Sequence, residues 1–594
     1  MKTNYIFGFK NLNVFAYLVF LSMPLFSQHA NQPIDRSEQR LRDAELVATI
    51  EGALFYLYDN QILDRKGKKS AYFDACEEGD GCLNTYLLKL PVVGESRVPI
   101  PFLIDLQNSK GEWGSTIHFL PKLYRSKRTP LGMLSSNLFV PQFITYPFLF
   151  FREENPGGLI SLMLKESWFL DKNYKRGGGY NFWMRSKEFP DFVGPRNLPY
   201  KYMKPVVYGY VDPYANLLWK ILLRNMKLPP KSWFYQCLDS TQNKTDATAI
   251  FNIPDDADDT SVTVAMQKLK TQFYRSMPDS FFHRPENFYV DYDAIKFLGR
   301  FRDLNRRAED GRDFWKGKNS GAFLTWLKDE KLPIFSKPEE GIIPLGVNNV
   351  DCVINANVIF VLGVLGWKNF PGYRNAVKLM HRAIAEKRWP ECGLYYPQYM
   401  MFPYVVSRAY RDGNNPALRR SIKILLRDIL KIQKQYAEEF PDKKGAFPGG
   451  EDTSDILSTA LGLATLLNIG SDIAEELGME KQYRESIEHA VRYLLREKRK
   501  IRIKNRKDFK NFTNKPKYGF YWGDGLFFTS SYWDLAHWRS EPFTAAMVLE
   551  ALTKYLLNYE DKRDINALKG PRLLIREYTG QHARHKRKIE MVSH

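Results

Sequence analysis

The sequence predicts an all-α protein, an (α/α) toroid of inner and outer helices with a long loop-rich insertion. Two observations predict this fold. Segments rich in Ala, Leu and small residues follow turns with acid, amide or hydroxyl side chains, and they are apolar on nearly every side. More polar, amphipathic segments lie between them. Alternating buried and amphipathic helices are typical of helical hairpins arranged in a ring, although an irregular helical bundle is the alternative.

The predicted inner helices follow one another along the chain after their polar turns. They cover 210–223, a helix after Asp255 that includes 265–269, then 351–362, 456–468 and 543–557. The predicted outer helices cover 374–386, 417–436 and 480–498. An earlier apolar helical period occupies 40–59. Between about 120 and 205, aromatic and turn residues crowd together, which predicts the loop-rich insertion.

The N-terminus predicts export to the periplasm or the outside of the cell. Lys2 and Lys10 precede the apolar run 14–26, which is short for a membrane span and is followed by polar sequence. This pattern is typical of a secretory signal, residues 1–27, with an uncleaved anchor as the alternative. A polar leader then covers 28–40, the toroid domain 41–565 and a basic tail 566–594.

Charge and motifs limit the partners. The chain of 594 residues carries a net charge of +20, part of it in the runs 496–510 and 572–588. Such runs suit a solvated surface or an anionic membrane surface. No nucleic-acid motif, Gly-rich phosphate loop or dinucleotide fingerprint is present, so we expect neither nucleic acid nor a cofactor.

The five cysteines are sparse and scattered. Cys76 and Cys82 flank a Gly-bearing loop, and in an exported chain we expect them to form the local disulfide. The odd total leaves at least one free thiol. The spacing does not favour zinc, and no metal site is predicted.

The most unusual stretch is Asp255-Asp-Ala-Asp-Asp259, which precedes an apolar helical pattern. Acidic residues stabilise a helix start, so one interpretation is an N-cap. One cap needs only one or two carboxylates, however, and carboxylates this close cannot all ionise cheaply. A raised pKa would make one of them a proton donor near neutral pH.

Residues Asp256-Ala-Asp258-Asp259-Thr260 resemble the Asp-x-Asp-Asp-Thr signature of class II terpene and squalene cyclases, members of an α/α-toroid superfamily with the prenyltransferases. Residues 107–113, Gln-Asn-Ser-Lys-Gly-Glu-Trp, resemble the Gln-Trp motif of the same proteins. The resemblance implies that Asp258 is the acid that protonates an alkene or epoxide, with Asp256 and Asp259 in support. Aromatic faces would stabilise the resulting carbocation.

Further residues are candidates for substrate binding because they are aromatic, or lie in the polar turns that begin the predicted inner helices. They are Tyr214, Trp219, Asp351, Asn355, Asp452, Trp522 and Trp538. Each aromatic residue could equally serve in packing. The acidic turns also suit a sugar, so a glycan hydrolase or lyase is an alternative, and a non-catalytic lipid- or glycan-binding protein is another.

Overall fold

The computed structural model describes residues 36–61, 86–90, 94–98, 111–119, 132–153, 158–184, 253–277, 279–306, 313, 319–329, 343, 348–450, 454–503, 517–530, 536–558 and 573–575. The chain divides into two units, Met1–Glu45 and Leu46–His594. Of the first unit only the beginning of one helix is described. The features below belong to the second.

Helices dominate the described residues. In chain order they are α1 (Arg36–Asn60), α2 (Phe139–Thr145), α3 (Leu159–Ser167), α4 (Ala257–Phe273), α5 (Tyr292–Leu298), α6 (Cys352–Leu365), α7 (Tyr373–Ala385), α8 (Met401–Arg411), α9 (Arg419–Glu439), α10 (Asp455–Ile469), α11 (Ser471–Glu476), α12 (Glu480–Arg496) and α13 (Glu541–Asn558). Short 3₁₀ helices cover Pro147–Phe150, Leu170–Asn173, Tyr274–Ser276, Ser280–His283, Pro285–Phe288, Trp389–Glu391, Pro416–Leu418 and Pro441–Lys443.

Six of the described helices close into an inner ring. Helix α4 packs against α6, α6 against α8, α8 against α10, and α10 against α13. Helix α2 contacts both α13 and α4 and so completes the circle. In α6 and α10 almost every side chain is buried, which explains why their sequences are apolar on all sides.

Three amphipathic helices form the outer layer. Helix α7 packs on α6, α9 on α8 and α12 on α10. In α12 the buried positions recur at helical spacing, whereas the opposite face is charged. The all-α toroid prediction is therefore confirmed, and the predicted outer helices agree with the observed ones to within three residues. Helix α8 was not predicted.

Small antiparallel sheets accompany the helices. The strands are β1 (Tyr86–Leu90), β2 (Gly94–Val98), β3 (Ser115–Phe119), β4 (Gly132–Ser135), β5 (Phe151–Glu153), β6 (Arg499–Arg502), β7 (Tyr518–Tyr521), β8 (Gly525–Thr529), β9 (Ala536–Ser540) and β10 (Leu573–Ile575). Four of them form one sheet in the order β4-β3-β9-β8, and β1-β2, β6-β7 and β5-β10 are pairs. The segment predicted as an insertion thus supplies α2, and the segment predicted as a tail supplies β10.

Of the Gln-Trp stretch, Gly111 to Trp113 are described, and Trp113 fastens a helix end, while Gln107 lies outside the described residues. The indole nitrogen of Trp113 donates to the carbonyl of Leu57 near the end of α1, at 2.8 Å. Gly111 has a φ of +92°, and a Cβ there would lie 2.0 Å from the carbonyl oxygen of Glu166. Only glycine can make this turn. Among the described residues no helix is long and apolar enough to cross a membrane.

Candidate active site

The start of α4 is held between two loops. The backbone N–H of Asp256 donates to the carbonyl of Tyr180 at 3.1 Å, and that of Ala257 donates to the carbonyl of Thr325 at 2.8 Å. Asp256 is also the N-cap, because its side chain accepts from the backbone N–H of Asp259 at 2.8 Å. The capping interpretation is therefore correct for one of the four carboxylates.

The side chain of Asp255 does not cap the helix but binds a neighbouring loop. Its Oδ2 accepts from the backbone N–H groups of Gly177 and Gly179, each at 3.1 Å. A Cβ on Gly179 would lie 2.8 Å from both the Thr260 hydroxyl and a methyl of Leu327, so this loop needs glycine to come so close to α4. Asp255 thus anchors the glycine loop against the helix.

Asp258 points into the ring and is 4% exposed. The Nδ2 of Asn357, on α6, donates to its Oδ1 at 2.6 Å. The hydroxyl of Tyr396 is hydrogen-bonded to its Oδ2. The Oδ1 of Asn357 accepts from the Nη2 of Arg408, on α8, at 2.7 Å. Because arginine only donates, the amide of Asn357 has a fixed orientation with its N–H₂ towards Asp258.

Arg408 lies in a box of aromatic rings and is 2% exposed. Its guanidinium carbon is 4.6 Å from the ring centroid of Phe360, 4.7 Å from Phe143, 5.2 Å from Tyr404 and 5.4 Å from Tyr146. Such contacts stabilise a desolvated cation. The side chains in this box occupy the interior of the ring next to Asn357.

A second group of charged side chains, centred on Lys554, connects α13 to α8 and α10 inside the ring. Lys554, on α13, is paired with Glu550 at 2.8 Å and with Asp412 at 2.9 Å. It also donates to the Oδ1 of Asn468, on α10, at 2.7 Å. Glu550 accepts from the hydroxyl of Tyr404 at 2.7 Å, which links α13 to α8 across the ring. This part of the interior is filled by side chains as well.

Burial and mutual repulsion perturb the acids at the start of α4. Burial, and next the charge of Asp256, raise the pKa of Asp258 well above its ordinary value. Burial and the charges of Asp256 and Asp258 do the same to the pKa of Asp259. Burial raises the pKa of Asp256 to about 7, although the N–H of Asp259 opposes the shift. These shifts favour the protonated form of Asp258, the form in which a carboxyl can serve as a proton donor.

Aromatic rings surround the hydroxyl that touches Asp258. We call Phe139, Tyr396, Phe527, Phe528 and Phe543 the aromatic cluster. The ring centroid of Tyr396 is 5.9 Å from Phe139 and 5.6 Å from Phe528. Phe527 lies 4.8 Å from Phe543 and 5.9 Å from Phe139. A bulge in β8 interrupts the normal alternation of side chains, so that two consecutive residues join one cluster.

A disulfide holds the segment that carries Tyr396. Cys352, the first residue of α6, is bonded to Cys392, with the two Cα atoms 5.4 Å apart. The backbone N–H of Cys352 also donates to the carbonyl of Cys392 at 3.0 Å. The predicted Cys76–Cys82 pair lies outside the described residues. The sequence does not predict the bond between Cys352 and Cys392, because forty positions separate the two residues.

Two of the predicted substrate-binding residues form hydrogen bonds to backbone groups of the ring. Asp351 caps α6, accepting from the N–H of Ile354 at 3.0 Å, and burial raises its pKa to about 6. The amide of Asn355 bonds both the N–H and the carbonyl of Phe323, each at 2.9 Å. Both side chains have hydrogen-bond partners within the protein and hold a loop or a helix start.

The two described tryptophans among the candidates lie in different places. Trp538 is buried with its ring centroid 5.1 Å from Phe528, so it extends the aromatic cluster. Trp522 is also buried, but its indole nitrogen donates to the carbonyl of Leu494 on α12 at 2.8 Å. The structure thus brings Trp538, but not Trp522, towards the side of Asp258. Tyr214, Trp219 and Asp452 lie outside the described residues.

Tyr396, Asn357 and Arg408 were absent from the predicted site. Asn357 has a signal in the sequence, since it is a polar residue inside an apolar helix, six positions after Asp351. Arg408 has a similar signal within 401–411, but that helix was not predicted. Nothing in the sequence links Tyr396 to Asp258, 138 positions away. None of the His, Cys, Asp and Glu side chains in the described ranges form a group that could hold a metal ion.

No protein-family model matches the chain, and no curated protein matches it. Several solved structures are similar to it in fold. A protein from Actinoplanes has 12% identity and a TM-score of 0.37, over 77% of this chain and 97% of its own. The type II terpene cyclase MstE from Scytonema, without ligand, has 12% identity and a TM-score of 0.36, over 77% and 96%.

A variant of the same Scytonema cyclase, in complex with its substrate geranylgeranyl dihydroxybenzoate, also has 12% identity and a TM-score of 0.36. It covers 76% of this chain and 94% of its own. With TM-scores of 0.36 and 0.37 and 12% identity, the similarity concerns the fold and carries no information on function. The described chain is a toroid, similar in fold to these proteins.

Proposed function

We propose that this protein is an exported acid catalyst of the class II cyclase type, in which Asp258 protonates a carbon–carbon double bond of an isoprenoid. The observation that carries the proposal is the environment of Asp258. It is a buried carboxyl, held on one oxygen by Asn357, beside two further carboxyls that disfavour its ionisation. The raised pKa keeps this carboxyl in its protonated form, the form from which a proton can be given to an alkene.

The hydrogen bonds determine which oxygen carries the proton. The Oδ1 of Asp258 accepts from Asn357, whose orientation is imposed by Arg408. The acidic proton therefore sits on Oδ2, which faces the hydroxyl of Tyr396 and hence the aromatic cluster. We infer that the alkene approaches from this side and displaces the hydroxyl of Tyr396 from its bond to Oδ2.

In the proposed step the π electrons of the alkene form a new C–H bond with this proton. The O–H electrons stay on Asp258 as a carboxylate, and a tertiary carbocation remains on the substrate. Faces of Phe139 and Phe528 lie next to Tyr396 and would stabilise that cation. The box around Arg408 already contains a cation, so the substrate would lie on the cluster side of Asn357.

The burial of the four carboxyls within 255–259 favours protonation of an isoprenoid over hydrolysis of a glycan. All four are at most 5% exposed. A glycosidase needs two carboxyls that reach a hydrated sugar from either side of its bond. An apolar isoprenoid, in contrast, gains free energy on entering an aromatic site.

Export is also proposed, and the bond between Cys352 and Cys392 supports it. Disulfides persist in oxidising compartments and are rare in the cytosol. Together with the Lys-flanked apolar run at the N-terminus, this favours a periplasmic or secreted location. N-terminal sequencing of the protein from its native host should find a mature chain that begins near Gln28, and recovery of intact Met1 protein from the cytoplasm would contradict export.

Incubation in D₂O with linear polyprenyl alcohols, diphosphates and epoxides tests the catalytic proposal. We expect a cyclised product that contains one solvent deuterium on a newly saturated carbon. The Asp258→Asn variant should form no product, because an amide has no acidic proton to give. The Asp255→Asn variant is the matched control and should retain turnover, since the carboxyl of Asp255 is hydrogen-bonded to the glycine loop and Asn181 and not to Asp258. Turnover that survives Asp258→Asn, or no conversion of any substrate, would refute the proposal.

A further inference from the structure

A pocket opens beside the C-terminal half of α4, away from the acids. Its empty volume is about 350 Å³ out to the open solvent, and its lining includes Gln142, Trp168, Asp171, Lys270 and Asn287. Lys270 follows Asp258 by twelve positions, which corresponds to about 18 Å along a helix. The pocket is thus separate from the proposed catalytic acid, and its ligand is argued independently of the chemistry there.

Lys270 is a cation in this pocket without an acceptor. It is 6% exposed, and its ammonium nitrogen is 5.7 Å from the ring centroid of Trp168. Among the described residues, none accepts a hydrogen bond from it. Burial lowers its pKa to about 8, opposed by the charge of Asp171, so that most of it is protonated at pH 7. An ammonium has three N–H donors, and since no described residue uses those of Lys270, they are open to a ligand.

Two amide oxygens in the same pocket also lack partners. The Oε1 of Gln142 and the Oδ1 of Asn287 are buried without a hydrogen-bond donor in the described part of the chain. The Nδ2 of Asn287 is already bonded to the carbonyl of Phe281. The carboxyl of Asp171 already has a hydrogen-bond donor, since its Oδ2 accepts from the amide of Gln267 at 2.5 Å. The pocket therefore offers a cation and two unused acceptors to an incoming molecule.

We propose that this pocket binds a small 2-hydroxycarboxylate. The carboxylate of the ligand pairs with Lys270, and its hydroxyl donates to the amide oxygen of Gln142 or Asn287. A charge-assisted hydrogen bond of this kind is stronger than one between neutral groups. Lys172 and Glu286 line the exposed rim with opposite charges, so that Lys270 is the cation left to pair with the carboxylate.

Calorimetric titration of the full-length protein with lactate, acetate and lactamide tests the proposal. We expect saturable binding of lactate, weaker binding of acetate, which lacks the hydroxyl, and none of lactamide, which lacks the charge. Lactamide that binds as tightly as lactate, or lactate that does not saturate, would overturn the proposal. This comparison needs no variant and does not depend on any catalytic activity.

Two variants then assign the site. Lys270→Met should weaken lactate binding by at least about tenfold, the usual worth of a hydrogen bond to a charged group. Lys268→Met is the matched control, since Lys268 is half-buried on the same helix and does not line the pocket, and it should bind lactate normally. Equal losses in the two lysine variants would place the anion elsewhere.

Discussion

The Nδ2 of Asn357 lies 2.6 Å from the Oδ1 of Asp258, and this contact decides where the acid holds its proton. The amide cannot turn over, because its oxygen accepts from Arg408 at 2.7 Å. One oxygen of Asp258 is therefore permanently an acceptor. A cation on α8 thus sets the geometry of an acid on α4 through a neutral side chain on α6.

Replacing Asp258 by Asn should leave the fold intact. The Asn Oδ1 can still accept from Asn357, and the repulsion by Asp256 disappears. We expect the free energy of unfolding to stay within about 1 kcal/mol of the parent value, with a rise favoured once the pH exceeds the ordinary carboxyl pKa of 3.8. Urea denaturation measures it. Asp258→Leu is the contrasting variant, which should lose about 1–3 kcal/mol because the N–H₂ of Asn357 is left without an acceptor.

Replacing Asn357 by Leu should destabilise the protein by about 1–3 kcal/mol, since the variant leaves both Arg408 and Asp258 with a polar group unpaired in the interior. In the cyclase assay it should also lower the rate, because the proton of Asp258 is no longer confined to Oδ2. Denaturation and turnover are measured on the same preparation. Unchanged values of both would show that the amide has no orienting role.

Replacing Lys554 by Met should be among the most damaging changes in the ring. It leaves the buried Glu550 and the half-buried Asp412 without their cation, and about 3–5 kcal/mol is the usual cost of breaking a buried pair. The double variant Lys554→Met, Glu550→Gln should recover part of this loss, because one of the stranded charges is removed. Thermal melting of the parent and both variants measures the effect, and a double variant less stable than the single one would contradict it.

The pH dependence of stability should show the raised pKa of Asp351, about 6 against an ordinary 3.8. Between these values the folded state binds more protons than the unfolded state, so this group makes stability fall as pH rises from about 4 to 6. Two pKa units correspond to about 3 kcal/mol. The Asp351→Asn variant keeps a capping side chain and should lack this fall. Urea denaturation at several pH values compares the two, and parallel curves would contradict the assignment.

The disulfide should contribute about 4 kcal/mol, the loop-closure value for a link across forty residues. A Cys352→Ala, Cys392→Ala variant should lose much of that stability, while Cys237→Ala, outside the described residues, provides a comparison. Mass mapping of unreduced protein from the native host should recover the linked peptides. Free alkylation of both thiols there would refute the bond.

The sequence reveals the ring better than the site. Segments such as 456–468 predict their own helices, because an inner helix must be apolar on all sides whatever its neighbours are. The acid stretch is equally local, and its carboxylates can be recognised as too many for a cap. The partners of Asp258 are not local. Tyr396 follows a short 3₁₀ helix and a disulfide, and only the folded chain brings it to α4. Helix α8 was missed because Pro403, Ser407 and Arg408 interrupt its apolar pattern.

The order of elements around the ring has a consequence for biosynthesis. Helix α2 closes the circle between α4 and α13, yet roughly 400 residues separate α2 from α13 along the chain. The ribosome must therefore synthesise the chain as far as α13 before the ring can close between α10 and α2. Until then the apolar flanks of α2 and α10, which both pack against α13 in the finished ring, are uncovered and open to association with other chains. If the chain crosses a membrane unfolded, closure and disulfide formation take place together on the far side.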